Sequence, residues 1–531
     1  MALAENPAPA DRDWKKSETF SSALVKIAVA GALFAGLAFY FIHRGERRKE
    51  IADRLKEARV LALRDNPADL SRAATELEAI FAVDPDAKDA VALAADIETE
   101  RWLFHREEGA EQKARAYLKR AQALGSRSEE RFGNEILHLI ADGKTAEAEK
   151  YAEDLRSQGA SSAKLWYGIA VAHHVQGHAA LSRQAFAQAT DKAWKNPRYF
   201  AAYGEALLDQ ADYRQAMEIF NKGRNANPDH LRVRLGLALA ELYREQHVKD
   251  AADAIQQVLA APDALTPGLK ARALAAQAEL ANFERRYDDA VRLATQALAV
   301  NPQERFAQFA RARALALEKD PGALEAFRAA AAQNRLAPAP YFVGAALLQQ
   351  SGSFDGAHAL LDEYAQSYSN VEAADSEGKT YRAIERDDKD WLVRGDVFRA
   401  AGKQDKAMEA YDKAIAADGV NRIRAYYAKA ALLQETKDYD KALEMLSLIT
   451  PEDGTGAIPE AYQTKGEVLF AKKEFAQGCQ NFALALSRMR LLQIPRERLN
   501  ALLADVTRQL NANGQTQMAK VWEREAAKFI R

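Results

Sequence analysis

One cysteine, Cys479, stands in a chain of 531 residues. A lone thiol excludes an intramolecular disulfide framework and a cysteine-based zinc site. It sits beside Gly478 in a helical stretch, where a small buried residue suits it. A surplus of positive charge is missing too: 74 Lys and Arg face 76 Asp and Glu, for a net charge of −2. Nucleic acid is therefore not expected as the principal ligand, because holding phosphates takes a basic face. Runs of alternating β-branched residues are absent as well, which favours an all-helical chain.

Catalytic and cofactor motifs are also lacking. Gly143-Lys144-Thr145 and Gly378-Lys379-Thr380 resemble the end of a phosphate-binding loop. Each lacks the first glycine, whose place is held by His138 and Ala373, and neither follows a hydrophobic strand. His173-His174 is the only adjacent histidine pair, and neighbouring residues point to different faces of a helix. Asp84-Pro85-Asp86 with Asp89 mimics the start of a calcium loop but lacks its central glycine and final glutamate. These segments read as helix–helix turns. No enzyme activity, cofactor or metal is expected.

What the chain does have is one long hydrophobic run. Residues 23–43 carry a single charge, Lys26, near the edge, and Arg44, Arg47, Arg48 and Lys49 follow at once. About 20 apolar residues cross a bilayer. Phe39, Tyr40 and Phe41 lie where interfacial aromatics are favoured. The segment is expected to be an uncleaved transmembrane helix, since no small-x-small cleavage site precedes the charges. Ala28, Ala32 and Gly36 form a small-residue stripe suited to self-association. Flanking charges leave the side of the membrane open. Four Lys/Arg lie before the span's core and seven within residues 44–62, which leans towards a cytoplasmic bulk, but the tail is itself basic at Lys15-Lys16, so a cytoplasmic and a periplasmic placement both stay open. Residues 1–22 are expected to be a flexible tail.

The rest of the chain is periodic. Gly204 and Gly236 are 32 residues apart, and Gly395 and Gly466 are 71 apart, near two such steps. Half a step after Gly204 come Ala216, Phe220 and Gly223; after Gly395 come Ala407, Tyr411 and Ala414. A period of about 34 built from two helices means a stacked solenoid. Small residues let helix backbones approach, and bulky ones fill the gaps between neighbours. The phase slips once: Gly344 and Gly395 are 51 apart, leaving a polar insert at 369–389 that is either an added helix or a hinge.

The pattern resembles the tetratricopeptide repeat (TPR). The best copy reads Phe200, Tyr203, Gly204, Leu207, Ala216, Phe220, Gly223, Pro228. Others read Trp391, Gly395, Phe398, Ala407, Tyr411, Ala414, and Tyr462, Gly466, Leu469, Gly478, Phe482, Ala485. The resemblance covers roughly 51–531. It implies an all-α, right-handed superhelical solenoid of helix pairs after one transmembrane helix. Degenerate repeats are expected over 44–161, clear arrays over 162–368 and 390–494, and capping helices over 495–531. It also implies a concave groove lined by the first helix of each pair. Carried onto this sequence, the groove residues are Lys164, Tyr167, Arg198, Glu205, Arg272, Glu279, Tyr341, Lys389, Arg399, Arg424, Tyr427 and Glu467. Their mixed charge suits peptide segments or partner helices. Acidic residues at Glu205, Glu279, Asp396 and Glu467 disfavour capture of a chaperone's C-terminal carboxylate. The family likeness implies a scaffold or adaptor at a plasma (inner) membrane, in a bacterial envelope-assembly, secretion or surface-appendage complex. The alternative is a subunit that positions an enzyme, such as a glycan-processing complex, or a solenoid with an activity of its own.

Overall fold

The computed structural model describes residues 20–159, 161–260, 265–374 and 380–530. The tail expected at 1–22 lies almost wholly outside them. The elements in order are α1 (Phe20–Arg64), α2 (Pro67–Val83), α3 (Lys88–Leu103), α4 (Ala110–Ala123), α5 (Glu129–Ala141) and α6 (Thr145–Ser157). Then come α7 (Ala163–Val175), α8 (Ala179–Lys192), α9 (Pro197–Asp209), α10 (Tyr213–Ala226), α11 (Leu231–Tyr243), α12 (Val248–Leu259), α13 (Pro267–Phe283) and α14 (Tyr287–Val300). Next are α15 (Arg305–Leu317), α16 (Ala323–Ala332), α17 (Pro338–Gln350) and α18 (Phe354–Ser367). Strands β1 (Glu372–Ala374) and β2 (Thr380–Arg382) separate these from α19 (Asp388–Ala400), α20 (Gln404–Ala416), α21 (Arg422–Glu435) and α22 (Tyr439–Ser447). The chain ends with α23 (Pro459–Ala471), α24 (Phe475–Leu491), α25 (Arg496–Ala512) and α26 (Thr516–Ile530).

Consecutive helices pair antiparallel and the pairs stack. Each turn inside a pair closes the same way. One residue just past the first helix takes a left-handed backbone: Gly143, Gly177, Ala211, Glu245, Arg285, Lys319, Gly352, Gly402, Lys437 and Lys473. This is a Schellman-type stop, seen where the His178 N–H donates back to the His173 carbonyl at 2.9 Å. Only some of these positions are glycine, so glycine counting alone undercounts the turns. Several prolines open a following helix instead of closing the preceding pair. Pro197, Pro267, Pro338 and Pro459 each occupy the first helical turn, where the missing N–H costs nothing.

Inner and outer helices differ in kind. Every residue of α9 is buried, whereas α10 buries only Ala216, Ile219, Phe220 and Gly223. The same contrast separates α13 from α14. A helix buried all round is a core helix. Phe220 shows how the repeat residues act: a Cβ at Gly204 would lie 2.5 Å from its ring, and one at Gly236 2.3 Å.

The stack is tightly wound, with about five pairs to a turn. Asp65, after α1, meets His230 at the start of α11. Gly268 in α13 donates its N–H to the His105 carbonyl after α3 at 2.8 Å. The α7–α8 turn at Gly177 packs on Leu336 before α17. Lys389 in α19 donates to the Gln210 carbonyl after α9 at 3.4 Å. Each contact joins a pair to the fifth one after it.

Two further features correct or refine the sequence reading. Among its described residues the insert at 369–389 contains no added α-helix before α19 begins at Asp388. It holds an antiparallel hairpin pairing Glu372 with Arg382 and Ala374 with Thr380, flanked by 3-10 turns. Its tip, with Gly378 and Lys379, lies outside the described residues. Second, α1 runs unbroken for 45 residues, so the boundary drawn at 43/44 falls inside one helix. Its apolar portion is fully exposed, with Leu33, Phe34, Leu37, Phe39 and Phe41 uncovered. This is one helix long and apolar enough to cross a membrane.

Candidate functional site

The inner face of the solenoid is two different surfaces. In the first turn it is filled by the chain itself. The end of α3 and the residues after it enter the space enclosed by α7, α9, α11 and α13, and they meet the groove residues in layers.

The first layer centres on Asp65. The His105 Nε2 lies 3.1 Å from one carboxylate oxygen and the His230 Nε2 3.2 Å from the other. The Val233 N–H donates to His230 Nδ1, which leaves the proton on Nε2 and makes that nitrogen the donor to Asp65. Burial pushes the Asp65 carboxyl up, but His105, His230 and Arg198 outweigh it and hold its pKa well below the ordinary value.

The second layer is a set of four buried charges in ionic contact. Lys164 Nζ lies 2.5 Å from Asp96 and 3.6 Å from Glu100. Arg198 lies 3.2 Å from each of the same two carboxylates and donates to the Ala62 carbonyl at 3.0 Å. All four side chains are less than a tenth exposed. Burial pulls the Arg198 guanidinium down, and the charges of Asp96, Glu100 and Asp65 more than reverse it.

The third layer is arginine-rich. Glu205 accepts two parallel bonds from Arg232, at 2.7 and 2.8 Å, and a third from Arg272 at 2.7 Å. Arg272 also reaches Glu304 at 2.9 Å. Arg305 bonds Asp209 at 2.9 Å, and Asp209 meets His174 at 3.0 Å. The Arg232 guanidinium lies 3.9 Å from the centre of the Phe104 ring. Such forked, desolvated pairs fix geometry strongly. The last layer sets Glu279 against Arg313 and Asn282.

Placed on this frame, the twelve predicted groove residues divide. Lys164, Tyr167, Arg198, Glu205 and Glu279 are buried on the inner helices α7, α9 and α13, and Arg272 is nearly so. They do not line an open groove: the α3 segment packs on Lys164 and Arg198, Arg232 and Arg272 cover Glu205, and Arg313 meets Glu279. Tyr341 is also buried, with its hydroxyl donating to the Arg335 carbonyl at 3.2 Å. Lys389 lines a cavity of about 520 Å³ between the first turn and the hairpin, with His178, Leu336, Phe342, Tyr368 and Tyr381. Arg399, Tyr427 and Glu467 are half-buried on the inner helices of the last array, and Arg424 is exposed. Arg399 pairs with Glu435, and Glu467 accepts from Gln434 at 3.2 Å and Gln463 at 2.9 Å. These four residues, on three successive inner helices, form the accessible portion of the predicted surface.

Sequence reasoning missed Asp65, Asp96, Glu100, His105 and His230. They lie on degenerate repeats or in turns, and their ionic partners are 40 or more residues away in sequence. The available signal was polar residues on an otherwise core-like helix: Asp96, Glu98, Thr99 and Glu100 are all buried in α3.

Models of the tetratricopeptide repeat match residues 134–197, 202–268 and 391–421. These are tetratricopeptide repeats. The matched stretches contain α7, α11 and most of α9, and, in the last array, most of α19 and all of α20. No curated protein matches the chain. Among solved structures, a human IFIT1 dimer with PPP-AAAA is 15% identical, covering 75% of this chain and 90% of that one at a TM-score of 0.41. A human IFIT1 dimer with m7Gppp-AAAA is also 15% identical, covering 75% and 89% at a TM-score of 0.41.

A titratable group at the α3–α5 contact gives a pH test. His138 is buried, its Nε2 2.9 Å from the Thr99 hydroxyl and its ring edge-on to Trp102. Burial, then the nearby Arg115, push the imidazole down to about 4. The unfolded chain binds this proton at about pH 6.5. Stability is therefore full above that value and falls as pH drops towards 4, by about 3 kcal/mol in total. Denaturant unfolding at pH 7 and 4.5, for the native chain and His138→Gln, checks this. The variant is expected to lose less stability across the interval.

Proposed function

We propose that the chain is a single-pass membrane scaffold that holds a protein segment on the inner face of its last TPR array. The observation that carries this reading is the contrast between the two inner surfaces. The first turn is filled by internal ion pairs, while Arg399, Arg424, Tyr427 and Glu467 stay accessible on α19, α21 and α23. A tyrosine among alternating charges suits an extended peptide or amphipathic helix, since aromatic and arginine anchors carry much of the energy in such contacts. The anchor is α1. Its uncovered apolar length is unfavourable in water and favourable in lipid. Because α1 continues without a break into the first solenoid pair, the membrane would also orient the groove. The setting that fits is an envelope complex in which a partner is concentrated at the membrane.

A photocrosslinking residue at Tyr427, in the full-length chain in intact cells, tests the groove. The expected result is an adduct of defined mass that disappears with Arg424→Glu and is absent when the same residue replaces Lys441 on the outer helix α22. Adducts of equal yield at both positions, or an adduct removed by nuclease, would overturn the reading. Deleting residues 1–43 is expected to move the chain from the carbonate-resistant membrane fraction to the soluble one, as read by blotting.

A further inference from the structure

Three side chains at the junction of α6, α7 and α8 converge on one point. Glu149 is on α6, His173 is in the last turn of α7, and His178 caps the start of α8. The His173 Nδ1 lies 2.8 Å from Glu149 Oε1, and the His178 Nδ1 lies 3.3 Å from the same oxygen. All three ligand atoms fall within 4.8 Å of one another. Neither Nδ1 makes a hydrogen bond, although both are buried. The rings are close enough to bond the carboxylate but point out of line with it. A buried nitrogen left without a partner is costly, so this arrangement calls for an explanation.

We propose that Glu149, His173 and His178 bind a divalent transition-metal ion of the zinc class. The distances fit. With metal–nitrogen and metal–oxygen bonds near 2.0–2.1 Å, ligand atoms of a tetrahedral site lie about 3.3 Å apart. An ion seated among the three atoms takes up both orphaned lone pairs. Two imidazoles and one carboxylate suit zinc, cobalt or nickel better than magnesium or calcium, which prefer all-oxygen sites. The carboxylate is already oriented for this. Gln176 donates to the other oxygen, Glu149 Oε2, at 2.6 Å, which turns Oε1 towards the imidazoles. The fourth position falls to water or to a donor from a partner.

The site was not legible from the histidine pair His173-His174. His174 faces the opposite way, to Asp209. His173 instead meets His178, because the α7–α8 turn folds the chain back over five residues, and Glu149 arrives from the preceding pair.

The test uses the untagged full-length chain in detergent, stripped of metal and titrated with Zn²⁺ and with Co²⁺. One equivalent of zinc retained through gel filtration is expected, with cobalt giving the visible bands of a four-coordinate ion. Glu149→Gln and His178→Gln are each expected to weaken binding at least tenfold, while His43→Gln does not. Circular dichroism confirms that the variants remain helical. The isosteric Glu149→Gln keeps the test informative if His178→Gln unfolds. No stoichiometric uptake, or uptake unchanged in both variants, would overturn the proposal.

Discussion

Arg198→Met separates α9 from the N-terminal helices. Arg198 lies on α9, but its partners Asp96, Glu100 and the Ala62 carbonyl belong to the first two helix pairs. Methionine keeps most of the volume and removes the charge. Two buried carboxylates are then left with one ammonium, from Lys164. Removing one member of a buried ionic set costs about 3–5 kcal/mol, because the remaining charge is desolvated without compensation. In a solenoid that loss acts locally, since each unit is stabilised by its neighbours. The expected readout is a split unfolding transition and faster amide exchange in α1–α4, with α15–α26 unchanged. A quadruple variant, Asp96→Leu, Glu100→Met, Lys164→Met and Arg198→Met, removes every charge together and should recover most of the loss. If Arg198→Met leaves exchange in α3 unaltered, the layer does not hold the turns together.

Gly268→Val acts on the same junction through sterics. A Cβ at residue 268 would lie 2.0 Å from the Phe104 carbonyl oxygen and 3.1 Å from that of His105. Both obstacles are main chain, so neither can rotate away. The start of α13 must retreat from the end of α3, which breaks the bond from the Gly268 N–H to the His105 carbonyl. The expected destabilisation is about 3 kcal/mol, at the upper end for an overpacked site. Small-angle scattering should show a longer, more open particle. Val at Gly402, in a turn with open space around it, tests backbone strain alone and should leave the shape unchanged.

Both predictions concern contacts between turns, and these are the part of the molecule that periodicity does not encode. The residues that make a pair, such as Gly204, Phe220 and Gly236, lie within one or two repeat lengths. Their spacing is a direct image of helix-on-helix packing, so repeat, helix content and stacking were all readable. The groove positions were readable as helix faces too. What those faces meet was not. The family likeness supplied an open groove, and in the first turn the chain supplied its own occupant. Among the predicted residues, Arg399, Arg424, Tyr427 and Glu467 kept the accessibility that the likeness implied.

Local physics accounts for what the sequence alone determined: an apolar run of membrane-spanning length, an all-helical chain, and two-helix units with small residues at close approach. Each of these depends on residues a few turns apart. The tertiary structure alone decided how tightly the units wind, which inner surface is filled, and which histidines and carboxylates meet. The reason is geometric. A small change in the angle between successive pairs, summed over five of them, decides whether Asp65 reaches His230, 165 residues away, or faces water.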